Sequence, residues 1–267
     1  MTEPPVGRCG YTERGLDAES CCYRSRWGDR EYCVWHTLVD DAATAQKPAD
    51  ALLYERETAA NRRRNAQVAG EPTAVGEYLI GIDLRGFDAF TDLDLSNCSL
   101  DGSQLAEIGL TGADLTGVSC VRADLTGANL SGSTLSGARF DRTRFSRSTL
   151  RGATLNGGSF VRSKLALADV RAAALTEADF TGSNGLRADF RGSTLSAVVF
   201  SAADLTETRF GDATGSEAVF VDATLVGADL RGSTITDADY SGADLTDADL
   251  TDATLSGGAF VGARLSG

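Results

Sequence analysis

The chain has 267 residues, a net charge of −13 and a pI near 4.5, enough length for one elongated domain or two ordinary ones. No run of 18 apolar residues exists to span a membrane, and the opening MTEPPVGRCGYTERG lacks a basic-then-apolar signal pattern, so a cytoplasmic protein without membrane contact is expected. The acidity argues against direct nucleic-acid binding. Lysine is rare, with two residues (Lys47 and Lys164) against 23 arginines, and aspartate outnumbers glutamate 26 to 12. Such an acidic surface suits a salt-rich, halophilic cytoplasm, where ions screen its self-repulsion; the competing reading is an acidic surface serving one basic partner.

In chain order, residues 1–40 come first. Cys9, Cys21, Cys22 and Cys33 precede the only histidine, His36, with spacing C-x11-C-C-x10-C-x2-H. Thiolate and imidazole are the ligands zinc prefers in a tetrahedral site. The C-x2-H pair can clamp a metal from one turn, and too few aliphatic residues lie between Cys9 and His36 to build a core. A structural zinc held by Cys9, Cys22, Cys33 and His36 is therefore expected, with Cys21 the alternative to Cys22. A disulfide or buried free thiols are the competing readings. Four protein ligands leave no open position for catalysis.

Residues 41–78 follow as a helical linker. Pro48 suits a helix start, good helix formers run to about Val68, and Gly70, Pro72 and Gly76 stop the helix. Such a helix would cap the open first coil of a solenoid.

From about residue 79 onward the period changes to five. Of the 36 positions 90, 95, 100 and so on to 265, all but Cys120, Gly185 and Gly215 are Leu, Phe, Ile, Val or Tyr, and the residue two earlier is small at 31 of them. Neither a strand nor a helix has this period. Five residues can form one side of a square coil, so four units close a coil of 20. Positions 20 apart test this: Phe140, Phe160, Phe180, Phe200, Phe220, Tyr240 and Phe260 form an unbroken aromatic column. Thr134, Thr154, Thr194, Thr214, Thr234 and Thr254 form a second, interrupted at Ala174. Gly185 and Gly215 are expected to leave core gaps or to mark bulges where a loop leaves the wall. Cys98 and Cys120 fall on inward positions as small core residues.

The units ADLTG (113–117), ANLSG (128–132) and ADLTD (243–247) resemble the A-(D/N)-L-x-x pattern of the pentapeptide-repeat family. The resemblance implies an all-β fold, a right-handed quadrilateral β-helix of about nine coils over residues 79–267. Cys22-Tyr23-Arg24 and Cys33-Val34-Trp35-His36 resemble the module ahead of such repeats in halophilic archaeal members.

No catalytic constellation appears. The repeat has no histidine, its aspartates occupy the outward slot that the repeat itself prescribes, and its glycines form no phosphate loop. Charge is the functional clue. Between Val121 and Arg171 there are nine basic and three acidic residues, and Arg122, Arg142 and Arg162 are 20 apart, hence one column; Glu217–Asp252 holds nine acids and only Arg231 as a base. Drift of surface residues under general acidic selection is the competing account. The readings are a non-enzymatic scaffold or protein-interaction rod whose partner is unknown, or, as the family resemblance implies, a DNA mimic that binds a type II topoisomerase. The repeat runs to Gly267 without a capping pattern, so a weak, salt-promoted homodimer through the C-terminal coil, with Phe260 and Leu265 at its rim, is expected.

Overall fold

The computed structural model describes residues 85–86 and 95–267. The expected zinc ligands and the helix over 48–68 lie outside the described residues, as does most of the first coil.

Five residues per side follow from where each backbone N–H goes. In the unit beginning at Leu95, the Leu95 N–H donates to Asp114 O in the next coil (2.7 Å), Asn97 N–H to Thr116 O (2.8 Å), and Cys98 N–H closes the corner on Leu95 O (3.1 Å). Ser119 N–H then reaches back to Cys98 O in the preceding coil (2.9 Å). The same bonds repeat unit after unit. They make a β-helix in which parallel bridges join positions 20 apart, from Ser99↔Ser119 to Asp244↔Arg264. The wall widens into regular three-residue strands at β1 (Thr214–Ser216) and β2 (Thr234–Thr236), paired in parallel.

One N–H per unit has no partner in this scheme, that of the first corner residue. The outward Asp or Asn two residues earlier accepts it: Asp114 Oδ1 from Thr116 N–H (3.0 Å), Asp179 Oδ1 from Thr181 N–H (2.8 Å), Asp249 Oδ1 from Thr251 N–H (3.0 Å). This is an Asx turn. It gives the repeat's acidic slot a structural role that decoration alone did not supply. The second corner residue has positive φ, as a type II turn requires. Glycine takes that slot at Gly117 and Gly132, whereas Arg122, Arg142 and Arg162 hold φ of 55–59° there at an intrinsic cost of about 1–2 kcal/mol each.

The interior alternates the small and large slots. The aromatic column is stacked one coil apart, with ring centroids 5.1 Å apart for Phe140–Phe160, 4.6 Å for Phe160–Phe180 and 4.8 Å for Tyr240–Phe260. All but Phe260, which is partly buried in the last coil, are fully enclosed. Phe190 and Phe210, from the opposite side, meet the column edge-on at Phe200, 5.7 and 5.8 Å away. Cys98 and Cys120 are buried, and burial, reinforced by Asp101 and Cys98, pushes the Cys120 thiol well up.

Neither Gly185 nor Gly215 releases a loop. Gly185 N–H donates to Asp204 O (2.7 Å), and Gly215 lies within β1 opposite Ile235. At Gly185 the neighbouring Leu205 leans into the vacated volume, its Cδ2 3.0 Å from where a Cβ would stand. The expected bulges are therefore corrected: adjacent coils close over both glycines while the 20-residue register continues.

Tyr240 carries the one hydroxyl in the aromatic column, and its Oη is buried with no hydrogen-bond partner among the described residues; burial holds its pKa well above the usual phenol. An unsatisfied buried hydroxyl costs about 1–3 kcal/mol. Tyr240→Phe is expected to raise the thermal midpoint, and a melting curve of the variant against the parent checks it; a lowered midpoint would contradict the account.

Candidate interaction surface

Each side of the coil presents one outward wall column flanked by two corner columns. Arg122, Arg142 and Arg162 occupy one corner column, one coil apart and exposed. The structure brings all three together as expected. None has an ion-pair partner among the described residues, and the Arg162 stem leans over Gly182 below it, its Cγ 3.5 Å from the glycine's missing Cβ.

Of the other basic residues of 121–171, three are paired and three, Arg144 among both, lie next to the arginine column. Arg139, Arg144 and Arg171 are neutralised by Asp141 (3.8 Å), Asp124 (3.5 Å) and Asp169 (2.7 Å). Arg144, Lys164 and Arg147 share the side of the rod that the arginine column borders. Arg144 and Lys164 stack in its wall column and Arg147 stands at its far corner. Position within the 20-residue coil, 2, 4 or 7, was the signal that identifies this side.

A second charged strip is internally satisfied. Arg171 donates to Asp169 through Nε (2.8 Å) and Nη2 (2.7 Å), Arg191 to Asp189 likewise, and Arg231 to Asp229. A groove of about 610 Å³ lies beside this strip, lined by Leu167, Arg171, Arg187, Asp189, Glu207 and Arg209. Arg187 and Glu207 close on one another at 2.8 Å. Its facing charges are largely spent on each other, so it lacks the convergent free polar groups of a small-molecule site. No cluster of three metal-ligating side chains occurs among the described residues, and no helix among them is long and apolar enough to cross a membrane.

The acidic end is more compensated than the run of nine carboxylates suggests. Asp229 and Asp249 lie 2.8 and 3.5 Å from Arg231, and Asp244 lies 3.4 Å from Arg264. Hydrogen bonds from Arg231 hold the Asp229 carboxyl below its usual range, hydrogen bonds from Ser241 hold Asp239 down, and those from Thr246 and Thr251 do the same for Asp244 and Asp249. Asp169 is lowered by Arg171. Depressed folded-state values stabilise the fold above the unfolded carboxylate range, near pH 4, and that contribution is lost as pH falls through the lowered values. The thermal midpoint is therefore expected to be level from about pH 7 to 5 with respect to these groups and to fall steeply below about pH 4. A midpoint that rises on acidification would mean that carboxylate repulsion dominates instead.

The family pattern described as pentapeptide repeats matches in 8 copies, over residues 94–132, 119–157, 128–165, 163–201, 193–232 and 228–267. No curated protein matches the chain. Among solved structures, HetL, a pentapeptide repeat protein involved in heterocyst differentiation regulation from the cyanobacterium Nostoc sp. strain PCC 7120, is 29% identical, with 73% of this chain and 93% of that one covered and a TM-score of 0.50. A pentapeptide repeat protein from the Arabidopsis thaliana thylakoid lumen is 28% identical over 46% of this chain and 69% of that one, with a TM-score of 0.19. QnrB1, a plasmid-mediated fluoroquinolone resistance protein, is 19% identical over 69% and 91%, with a TM-score of 0.36. With the family pattern covering residues 94–267 without a break and the coil built on it throughout, the chain belongs to the pentapeptide-repeat family.

Proposed function

We propose that the protein is a non-enzymatic, protein-interaction rod of the cytoplasm, built as a right-handed β-helix of about nine coils and headed by a structural zinc module with a capping helix. The observation that carries the interaction reading is the exposed arginine column Arg122, Arg142 and Arg162 on a wall without loops or insertions. Three cations with no ion pair among the described residues at a single corner, in a protein of net charge −13, suit a partner that supplies carboxylates. Affinity capture at low salt, where the charges are least screened, with the parent chain and with an Arg122→Ser/Arg142→Ser/Arg162→Ser variant tests this. A defined protein retained by the parent and lost by the variant supports the reading; identical retention sinks it.

The DNA-mimic reading draws on the acidic run Glu217–Asp252. Arg231 and Arg264 interrupt it with ion pairs, and a duplex-like surface carries no such cations. Inhibition of a type II topoisomerase by the purified chain, unaffected by the arginine substitutions, would favour mimicry over the rod.

For the head module, Cys9, Cys22 (or Cys21), Cys33 and His36 supply the donor set of a closed tetrahedral zinc site. About one equivalent of zinc is expected in protein purified without added metal. Cys33→Ser and His36→Ala are each expected to remove that metal and lower the module's stability; unchanged zinc content in both variants would end this part of the proposal.

A further inference from the structure

The side of the rod bordered by the arginine column continues past Arg162, and its charge reverses. The same three columns carry Arg142, Arg162, Arg144, Lys164 and Arg147 in the earlier coils, then Asp204, Glu207, Asp222, Asp244 and Asp247 in the later ones. In all, this side holds eight basic and seven acidic residues among the described ones, in a protein of net charge −13. It is a nearly neutral, strongly dipolar strip on an otherwise acidic molecule.

We propose that this side docks antiparallel onto the same side of a second copy of the chain, about a two-fold axis that crosses it between the coils of Asn184 and Asp204. This goes beyond the partner reading above and does not depend on it. A two-fold axis lying in the face and perpendicular to the rod keeps each column opposite the same column of the partner and reverses its order. In this register Arg162 meets the partner's Asp222 along the corner column. Along the wall column Arg144 meets the partner's Asp244 while Asp124 meets the partner's Arg264. The pairs Asp124–Arg144 and Asp244–Arg264, each 3.4–3.5 Å apart within one chain, thus face one another as a quartet. At the far corner Arg147 meets the partner's Asp247 and Arg187 the partner's Glu207. Leu167, 50% exposed, stands opposite the partner's Gly227, where there is no side chain to oppose it.

The register is selected by repulsion as well as attraction. One coil in one direction sets Asp204 and Glu207 against themselves and Arg144 against the partner's Arg264. One coil in the other sets Arg187 against itself and Asp124 against the partner's Asp244. The strip is about 38 Å long at ~4.8 Å per coil and about 13 Å wide at ~3.3 Å per residue. That gives roughly 1,000 Å² of total contact, the low end for a specific interface. The dimer is therefore weak, and its charges set its geometry.

Sedimentation equilibrium of the full chain tests it. A reversible dimer is expected at about 0.05 M salt, with its association constant falling about tenfold or more at about 1 M, where the screening length shrinks to ~3 Å. Arg147→Asp and Asp247→Arg are each expected to weaken it by a similar factor, and the double variant, with the charges exchanged, to restore it. The corner accepts arginine, since Arg147 and Arg187 already sit there at φ 60° and 57°, and melting curves confirm folding. Restoration by the exchange is the result a general loss of stability cannot mimic. A monomer at low salt at every accessible concentration overturns the proposal, as does a dimer indifferent to both single variants. A dimer that strengthens with salt and is lost in Phe260→Asp would place the contact at the end coil instead, and a monomer that binds polyphosphate through Arg142 and Arg162 would assign the basic half to a polyanion.

Discussion

Phe200→Ala is expected to cost about 3–5 kcal/mol, the range for deleting a fully buried aromatic side chain. Phe200 is enclosed and touches four other rings: Phe180 and Phe220 stack on it at 5.1 and 5.2 Å, and Phe190 and Phe210 meet it edge-on at 5.7 and 5.8 Å. The cavity cannot collapse easily, because the walls around it are held by bonds such as Phe200 N–H to Val219 O (2.7 Å) and Val199 N–H to Ala178 O (2.9 Å). Each coil contacts mainly its neighbours, so stability is close to a sum over adjacent coils and the loss stays local. Denaturant unfolding should show a lowered midpoint, and hydrogen exchange should show lost protection centred on residues 180–220, with coils near Leu125 protected as before. Uniform loss along the rod would mean that the β-helix unfolds as one unit. A change below about 1 kcal/mol would mean that the rings do not pack as described.

Gly215→Ala is expected to destabilise by about 1–3 kcal/mol or more, the cost of overpacking a closed wall. The repeat pattern alone suggests the opposite, because position 215 is a large-residue slot that glycine leaves empty. In the structure, a Cβ at Gly215 would stand 2.6 Å from Leu195 C and 2.8 Å from Ser196 N, backbone atoms that cannot swing aside. Gly185→Ala is the control. There the nearest atom is Leu205 Cδ2 at 3.0 Å, the end of a flexible side chain, and the remaining contacts are 3.6 Å or longer. Alanine at 185 should be tolerated within about 1 kcal/mol, helped by the smaller unfolded-state entropy of alanine. Thermal melting of the two variants side by side checks the contrast; equal effects would show that the wall at Gly215 can move.

What the sequence determined by itself was the architecture. Burial of the slots at Ala113, Leu115, Ala128 and Leu130 is decided within each five-residue unit, so the same local choice is written more than thirty times and the period can be read without any long-range information. The aromatic column from Phe140 to Phe260 even revealed the 20-residue coil, since one ring above another every coil leaves its period in the chain. The zinc site proposed for Cys9, Cys22, Cys33 and His36 rests on spacing alone, as these residues lie outside the described ones. The tertiary structure decided the questions of which distant groups meet. Asp114 and its equivalents read as surface decoration until the closed coil showed which backbone N–H each unit leaves over. Gly215 read as a gap until the neighbouring wall was seen at its Cβ position. The basic run and the acidic run read as a polarity along the chain. Only the folding of position 2, 4 and 7 residues onto one side put Arg144, Lys164 and Arg147 beside the arginine column, and Asp222, Asp244 and Asp247 beyond it. The physical reason is the same in each case: burial is a property of one residue in one unit, whereas pairing, satisfaction and charge complementarity belong to groups that the chain separates by whole coils and that only its closure brings together.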